Sequence, residues 1–218
     1  AVDEHNGELR IATTVGESHS RQESENDVYV LDENLERRSA AQGMGEGQRV
    51  YSVRFMGDTG YVVTFRQVDP FYVLDMSNPD DVSVEGELKL PGYSSYLHPL
   101  GDDRVLGVGE ENGQVKAVIF DASDPTDPTI EDDYVLDEYS SDAVGNHRAF
   151  LHDERHEVFF LPGSKAGYVF SYDDGLELEK AVNVTQARRA AYINDNMYIA
   201  SDYEVVALDE NDWSREDR

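Results

Sequence analysis

A chain of 218 residues carries 46 acidic against 18 basic side chains, a net charge of −28, with 39% hydrophobic residues, 10% aromatics and no cysteine. Lack of cysteine excludes a disulfide framework, a thiol nucleophile and thiolate-held metal or iron–sulfur centres, and no apolar run nears the roughly 18 residues of a membrane helix. So acidic a surface excludes nucleic acid as a natural partner, while the length suits one domain, or most of one.

High charge with sparse apolar residues would mean disorder, but here the apolar residues are bunched. Tyr29-Val30-Leu31, Tyr61-Val62-Val63, Phe71-Tyr72-Val73-Leu74, Val118-Ile119-Phe120 and Val158-Phe159-Phe160-Leu161 are β-branched or aromatic clusters between acidic turns, the mark of strands. The first predicted unit opens at Ala1-Val2-Asp3-Glu4-His5 as the tail of a strand. It reaches Val30-Leu31-Asp32 and then the polar stretch Leu35 to Gln42, which leads into Gly43, Gly45 and Gly47 and reads as a fourth strand rather than a helix. The short acid-ended word returns as Val73-Leu74-Asp75, Ile119-Phe120-Asp121, the looser Val169-Phe170-Ser171-Tyr172-Asp173, and Ala207-Leu208-Asp209, at separations of 43, 46, 52 and 36 residues. Asp75-Met76-Ser77-Asn78-Pro79 and Asp121-Ala122-Ser123-Asp124-Pro125 follow two of the words. An Asp or Ser that bonds the backbone two residues on, with a Pro that fixes φ, makes a tight turn into a further strand.

Upstream of the words lie strand–turn–strand patterns: Val53–Asp58 into Gly60–Thr64, Leu97–Asp102 into Arg104–Val108, Arg148–Asp153 into Val158–Leu161, and Ala190–Asp195 into Met197–Ala200. Four antiparallel strands in 40–50 residues, repeated, predict an all-β propeller of four-stranded blades. Residues 1–218 read as a single propeller domain or most of one, with approximate blades 1–47, 48–92, 93–139, 140–186 and 187–218. Five blades close alone or form one side of a seven- or eight-bladed ring.

His5–Thr14, Tyr51–Phe55, Val63–Pro70 and Pro91–Pro99 resemble a family of secreted or surface proteins with a C-terminal β-propeller domain, common in halophilic archaea. The resemblance covers nearly the whole chain and implies an exported protein, extracellular or at the cell surface, with its export signal upstream. It supplies no catalytic residues. The charge agrees with salt adaptation: four lysines stand beside fourteen arginines, and the self-repulsion of such a surface fades as the Debye length shrinks from about 10 Å to about 3 Å in molar salt.

If the first strand of each blade lines a central channel, its polar residues are the ligand-binding candidates: Arg54, Tyr96, His98, His147 and Arg189, with Ser52 beside them. Arginine and histidine at a channel mouth suit a carboxylate or phosphate, although residues that fill the channel and satisfy one another explain them as well. His147, His152 and His156 form a histidine group, but a strand and a turn hold them apart, so no metal site is expected. The Asp-rich turns Asp75–Asp81 and Asp121–Asp127 lack an EF-hand's spacing, which leaves weak Ca²⁺ binding as the only cofactor reading. Asn183-Val184-Thr185 is an N-glycosylation sequon. No catalytic residue is assigned. The expected role is a non-catalytic binding or scaffolding module for an unknown protein or carbohydrate partner at the cell surface; the alternative is an extracytoplasmic hydrolase at the channel mouth.

Overall fold

Each acid-ended word forms, or closes, the third strand of its own four-stranded sheet in the computed structural model, which describes residues 1–16, 24–65 and 69–216. Arg66, Gln67 and Val68 of the Val63–Pro70 word lie outside the described residues. The first sheet holds β1 (Val2–His5), β2 (Glu8–Val15), β3 (Glu25–Leu31) and β4 (Arg37–Met44). The second holds β5 (Arg49–Met56), β6 (Thr59–Phe65), β7 (Asp69–Asp75) and β8 (Ser83–Leu90). β9 (Tyr93–Pro99), β10 (Arg104–Glu111), β11 (Gln114–Asp121) and β12 (Thr129–Val135) make the third. The fourth is β13 (Leu151–Asp153), β14 (Val158–Pro162), β15 (Gly167–Ser171) and β16 (Glu177–Val182). The fifth is β17 (Ala187–Ile193), β18 (Asn196–Ser201), β19 (Val205–Asp209) and β20 (Arg215–Glu216). The protein is therefore all-β, with five four-stranded antiparallel sheets paired in chain order, and fits a propeller of blades. No helix among the described residues is long and apolar enough to cross a membrane.

Local chemistry sets the turns. Asn6-Gly7 (φ 53° and 81°) and Asn112-Gly113 (φ 51° and 78°) place two left-handed residues in succession, as a two-residue hairpin loop requires. Where the third strands end, the Oδ1 atoms of Asp32, Asp75, Asp121 and Asp209 accept the backbone N–H of Asn34, Ser77, Ser123 and Asn211 at 2.8–2.9 Å. The acid that ends each of these words is thus the turn's own fastener. At the register shift between Val108 and Gly109, a Cβ on Gly109 would lie 1.7 Å from the carbonyl oxygen of Tyr93, so only glycine permits that approach.

The polar stretch Leu35 to Gln42 is indeed strand from Arg37 onward, β4, while Leu35 (φ 63°) belongs to the turn before it. The fourth sheet departs from expectation. Strand pairing there begins only at Leu151, preceded by a short helix, α1 (Asp142–Gly145), and a 3-10 turn, His147–Ala149. The Ser141 hydroxyl accepts the N–H of Ala143 and Asn146 Oδ1 accepts the N–H of Arg148; these caps satisfy free helical donors and turn the backbone away from the sheet.

The chain divides into two compact units, Ala1–Glu111 with Phe120–Ile130, and Asn112–Ile119 with Glu131–Arg218. In the first, β6 is buried from Gly60 to Thr64 on both faces, and Phe71 stacks on Phe120 at 4.1 Å and on Tyr61 at 5.6 Å. In the second, Phe159 stacks on Phe170 at 5.2 Å and Tyr134 meets Phe170 edge-on. A fully buried Phe contributes about 2–3 kcal/mol of transfer free energy, so each unit has a core of its own.

Candidate functional site

The sequence candidates fall into two neighbourhoods. In the first unit, Arg54 is exposed on β5, while Tyr96 and His98 are half-buried on one face of β9. The Tyr96 hydroxyl lies 2.9 Å from His98 Nδ1. Burial raises the Tyr96 phenol's pKa and the charge of Arg54, on β5 packed beside β9, pulls it back. Ser52 Oγ donates to the carbonyl of Ser94 at 2.7 Å. In the second unit, exposed His147 belongs to the 3-10 turn, not to a strand, and exposed Arg189 lies on β17, which packs beside that turn. Asn183 is exposed immediately after β16.

The histidine group does not act as one. His152 Nε2 lies 2.6 Å from the Tyr172 hydroxyl, and burial lowers the imidazole's pKa. His156 turns instead to acids the sequence reading did not single out. The repeat explains how they meet. At the end of four third strands, one residue donates its backbone N–H to a carbonyl in the first hairpin of its own blade: Met76 to Asp58, Ala122 to Asp103, Tyr172 (within the looser word) to Glu157 and Glu210 to Asp195. All four side chains are buried, at 5%, 6%, 6% and 4% exposure. Three are apolar or aromatic; the fourth is a glutamate.

Glu210 meets Asp153, which closes β13, and His156 in the turn that follows. The three ligand atoms lie within 4.8 Å of one another. His156 Nδ1 is 3.2 Å from Asp153 Oδ2 and 3.9 Å from Glu210 Oε2. Arg155 belongs to Asp153: its backbone N–H and Nε reach Oδ1 at 3.0 and 3.1 Å, and one terminal nitrogen reaches Oδ2 at 2.7 Å. That nitrogen stays 3.7 Å from Glu210 Oε2, while the guanidinium covers the Tyr192 ring and donates to the Asn194 carbonyl. Burial would raise Asp153, but hydrogen bonds from Arg155 and His156 hold it below the usual carboxylate range. Glu210 has less help. Among the described residues both its oxygens are buried without a hydrogen-bond partner, and burial, reinforced by the charge of Asp153 and only partly offset by His156 and Arg155, pushes it up to about 7.

Another group stands at the opposite strand ends, in the first unit. Tyr51, Phe65 and Tyr93 form a ring cluster with centroids 4.9–5.3 Å apart. Tyr51 is 45% exposed. Burial and a hydrogen bond to Glu110 push the Tyr93 phenol up to about 12.

A family model described as Beta propeller domain matches residues 1–213. An uncharacterized protein of Archaeoglobus fulgidus is 52% identical over 215 residues, which cover 99% of this chain and 34% of the relative. One from Methanocaldococcus jannaschii, also uncharacterized, is 42% identical over 216 residues, 98% of this chain and 35% of the relative. The chain thus spans about a third of the length of these relatives.

Proposed function

The chain belongs to the beta propeller domain family, and from that premise we propose that it is a non-catalytic binding or scaffolding module of an exported, salt-adapted protein, working at the cell surface. The observation that carries this reading is the ring cluster of Tyr51, Phe65 and Tyr93, part-exposed at the strand ends. Clustered tyrosine and phenylalanine that remain open to solvent give a partner apolar contact area with little side-chain entropy to lose. The net charge of −28 supports salt adaptation, and the resemblance to exported proteins supports the location.

The test uses two probes in molar salt, purified cell-envelope protein and purified surface polysaccharide. Saturable binding to either one that is lost in Tyr51→Ser and kept in Arg54→Ala supports the module. One observation favours the hydrolase alternative: Arg54, Tyr96 and His98 are neighbours, with a phenol–imidazole contact suited to proton transfer. Turnover of ester, glycoside or phosphate substrates that collapses in Arg54→Ala or His98→Ala would put that alternative in first place.

A further inference from the structure

We propose that Asp153 Oδ2, His156 Nδ1 and Glu210 Oε2 are the protein ligands of a divalent transition-metal ion, with zinc the cation that suits them. This goes beyond the binding reading and does not depend on it. Three observations lead there. The first is the repeat: Glu210 occupies the position that Met76, Ala122 and Tyr172 fill in other blades, all anchored by the same backbone bond. An apolar side chain satisfies this position, so a carboxylate there serves something other than packing. The second is charge. Arg155 bonds Asp153 through both oxygens and stands 3.7 Å from Glu210 Oε2, which leaves neither Glu210 oxygen hydrogen-bonded among the described residues. The ionised form of such a group is costly unless a cation meets it closely.

The third is spacing. Ligands about 2.0–2.2 Å from one tetrahedral ion lie roughly 3.4 Å apart, and the His156 contacts of 3.2 and 3.9 Å straddle that edge length. An imidazole with two carboxylates is a donor set for zinc or its first-row neighbours; calcium and magnesium prefer oxygen throughout. On binding, His156 presents the Nδ1 lone pair to the ion and carries its proton on Nε2. Asp153 keeps its Oδ1 bonds to Arg155, so a positioned ligand and its orienting cation coexist. A groove lined by Asp173, Asp174, Glu177 and Glu179 opens on His156, and carboxylates along such a groove concentrate cations at its end.

The test is zinc titration of the chelator-treated full chain, followed by calorimetry and by the thermal midpoint. One equivalent of zinc should bind and raise the midpoint, and X-ray absorption should show a single imidazole among light-atom ligands. His156→Ala and Glu210→Met should each weaken zinc by at least about tenfold, while His5→Ala leaves its affinity unchanged. Because Met76 occupies the equivalent position, Glu210→Met should fold; a cooperative melt without zinc verifies this. Failure of zinc to bind stoichiometrically, binding undiminished in both variants, or calcium and magnesium competing as equals would overturn the site.

Discussion

Two glutamates in the second unit are buried almost equally, Glu138 at 1% exposure and Glu210 at 4%, yet their surroundings differ in kind. Glu138 Oε1 accepts the Lys165 N–H at 2.7 Å and the Tyr168 hydroxyl at 2.9 Å, and Oε2 accepts the Ser164 hydroxyl at 2.7 Å. Its own backbone carbonyl accepts the Val115 N–H. Among the described residues Glu210 receives no hydrogen-bond donor on either oxygen. The first carboxylate ties the segment after β12 to the β14–β15 connection and is part of the fold. The second is a local expense that the fold carries. Burial itself says little about purpose; the partners tell the two apart.

Removing the first should do the greatest harm. Glu138→Ala strands the buried Tyr168 hydroxyl and takes the acceptor from the more exposed Ser164 hydroxyl and Lys165 N–H, and hydrogen bonds to a charged group are worth about 1.5–3 kcal/mol each before coupling. A loss of about 2–4 kcal/mol in urea unfolding is expected. A loss below about 1 kcal/mol would mean that Glu138 is as dispensable as its counterpart, and the contrast would vanish.

Salt acts on the surface rather than on either buried acid. Between dilute buffer and molar salt the thermal midpoint should rise by about 5–10 °C, equivalent to a few kcal/mol at roughly 2–4 °C per kcal/mol for a chain of this size. Differential scanning calorimetry checks it, and a midpoint indifferent to salt would count against salt adaptation.

Glu210→Met should have the opposite sign to Glu138→Ala, a gain of about 1–3 kcal/mol at pH 8 in chelator. The pH dependence follows from the raised carboxyl. The folded state holds its proton up to about 7, whereas the ordinary value is 4.5. Glu210 therefore costs stability progressively as pH rises between those values, and the variant's advantage should disappear by about pH 4. Urea midpoints of both proteins across that range decide it, and a variant less stable than the parent at pH 8 would show that the carboxylate contributes to the fold.

The same contrast shows what the sequence could and could not disclose. The acid-ended words and their turns were legible because everything they need lies within a few residues: alternating apolar side chains, then an Asp whose own backbone neighbour supplies the donor. The polar strand β4 was legible by elimination, as its glycines suit no helix. His147 was placed wrongly because alignment to neighbouring blades outweighed the local caps Ser141 and Asn146, which were visible in the sequence. Of the proposed metal ligands only His156 was singled out. Its partner Glu210 comes from the next blade, and no spacing rule connects the two. One residue past the words stand Glu33, Met76, Ala122, Asp174 and Glu210, so an acid at that point is no departure in the sequence. Only the shared backbone bond shows that Tyr172, inside the looser word, is the equivalent of Glu210.

The turn acids give the smallest effect and the sharpest sign. Asp75 and Asp121 are held below the ordinary range by hydrogen bonds from the Ser77 and Ser123 side chains and backbone N–H groups. A carboxylate whose pKa falls on folding lends stability that is complete above its unfolded value and is lost as pH drops through the folded one. Asp75→Ala with Asp121→Ala should therefore cost a modest amount at pH 7, under about 1 kcal/mol per site because both acids are solvent-screened. That deficit should shrink as pH falls below the ordinary Asp range and these carboxylates take up protons. Glu210→Met moves the other way, advantageous when basic and neutral when acidic. If urea midpoints showed both sets of variants changing with pH in the same direction, the division between fastening and unpartnered acids would be wrong, whatever zinc does.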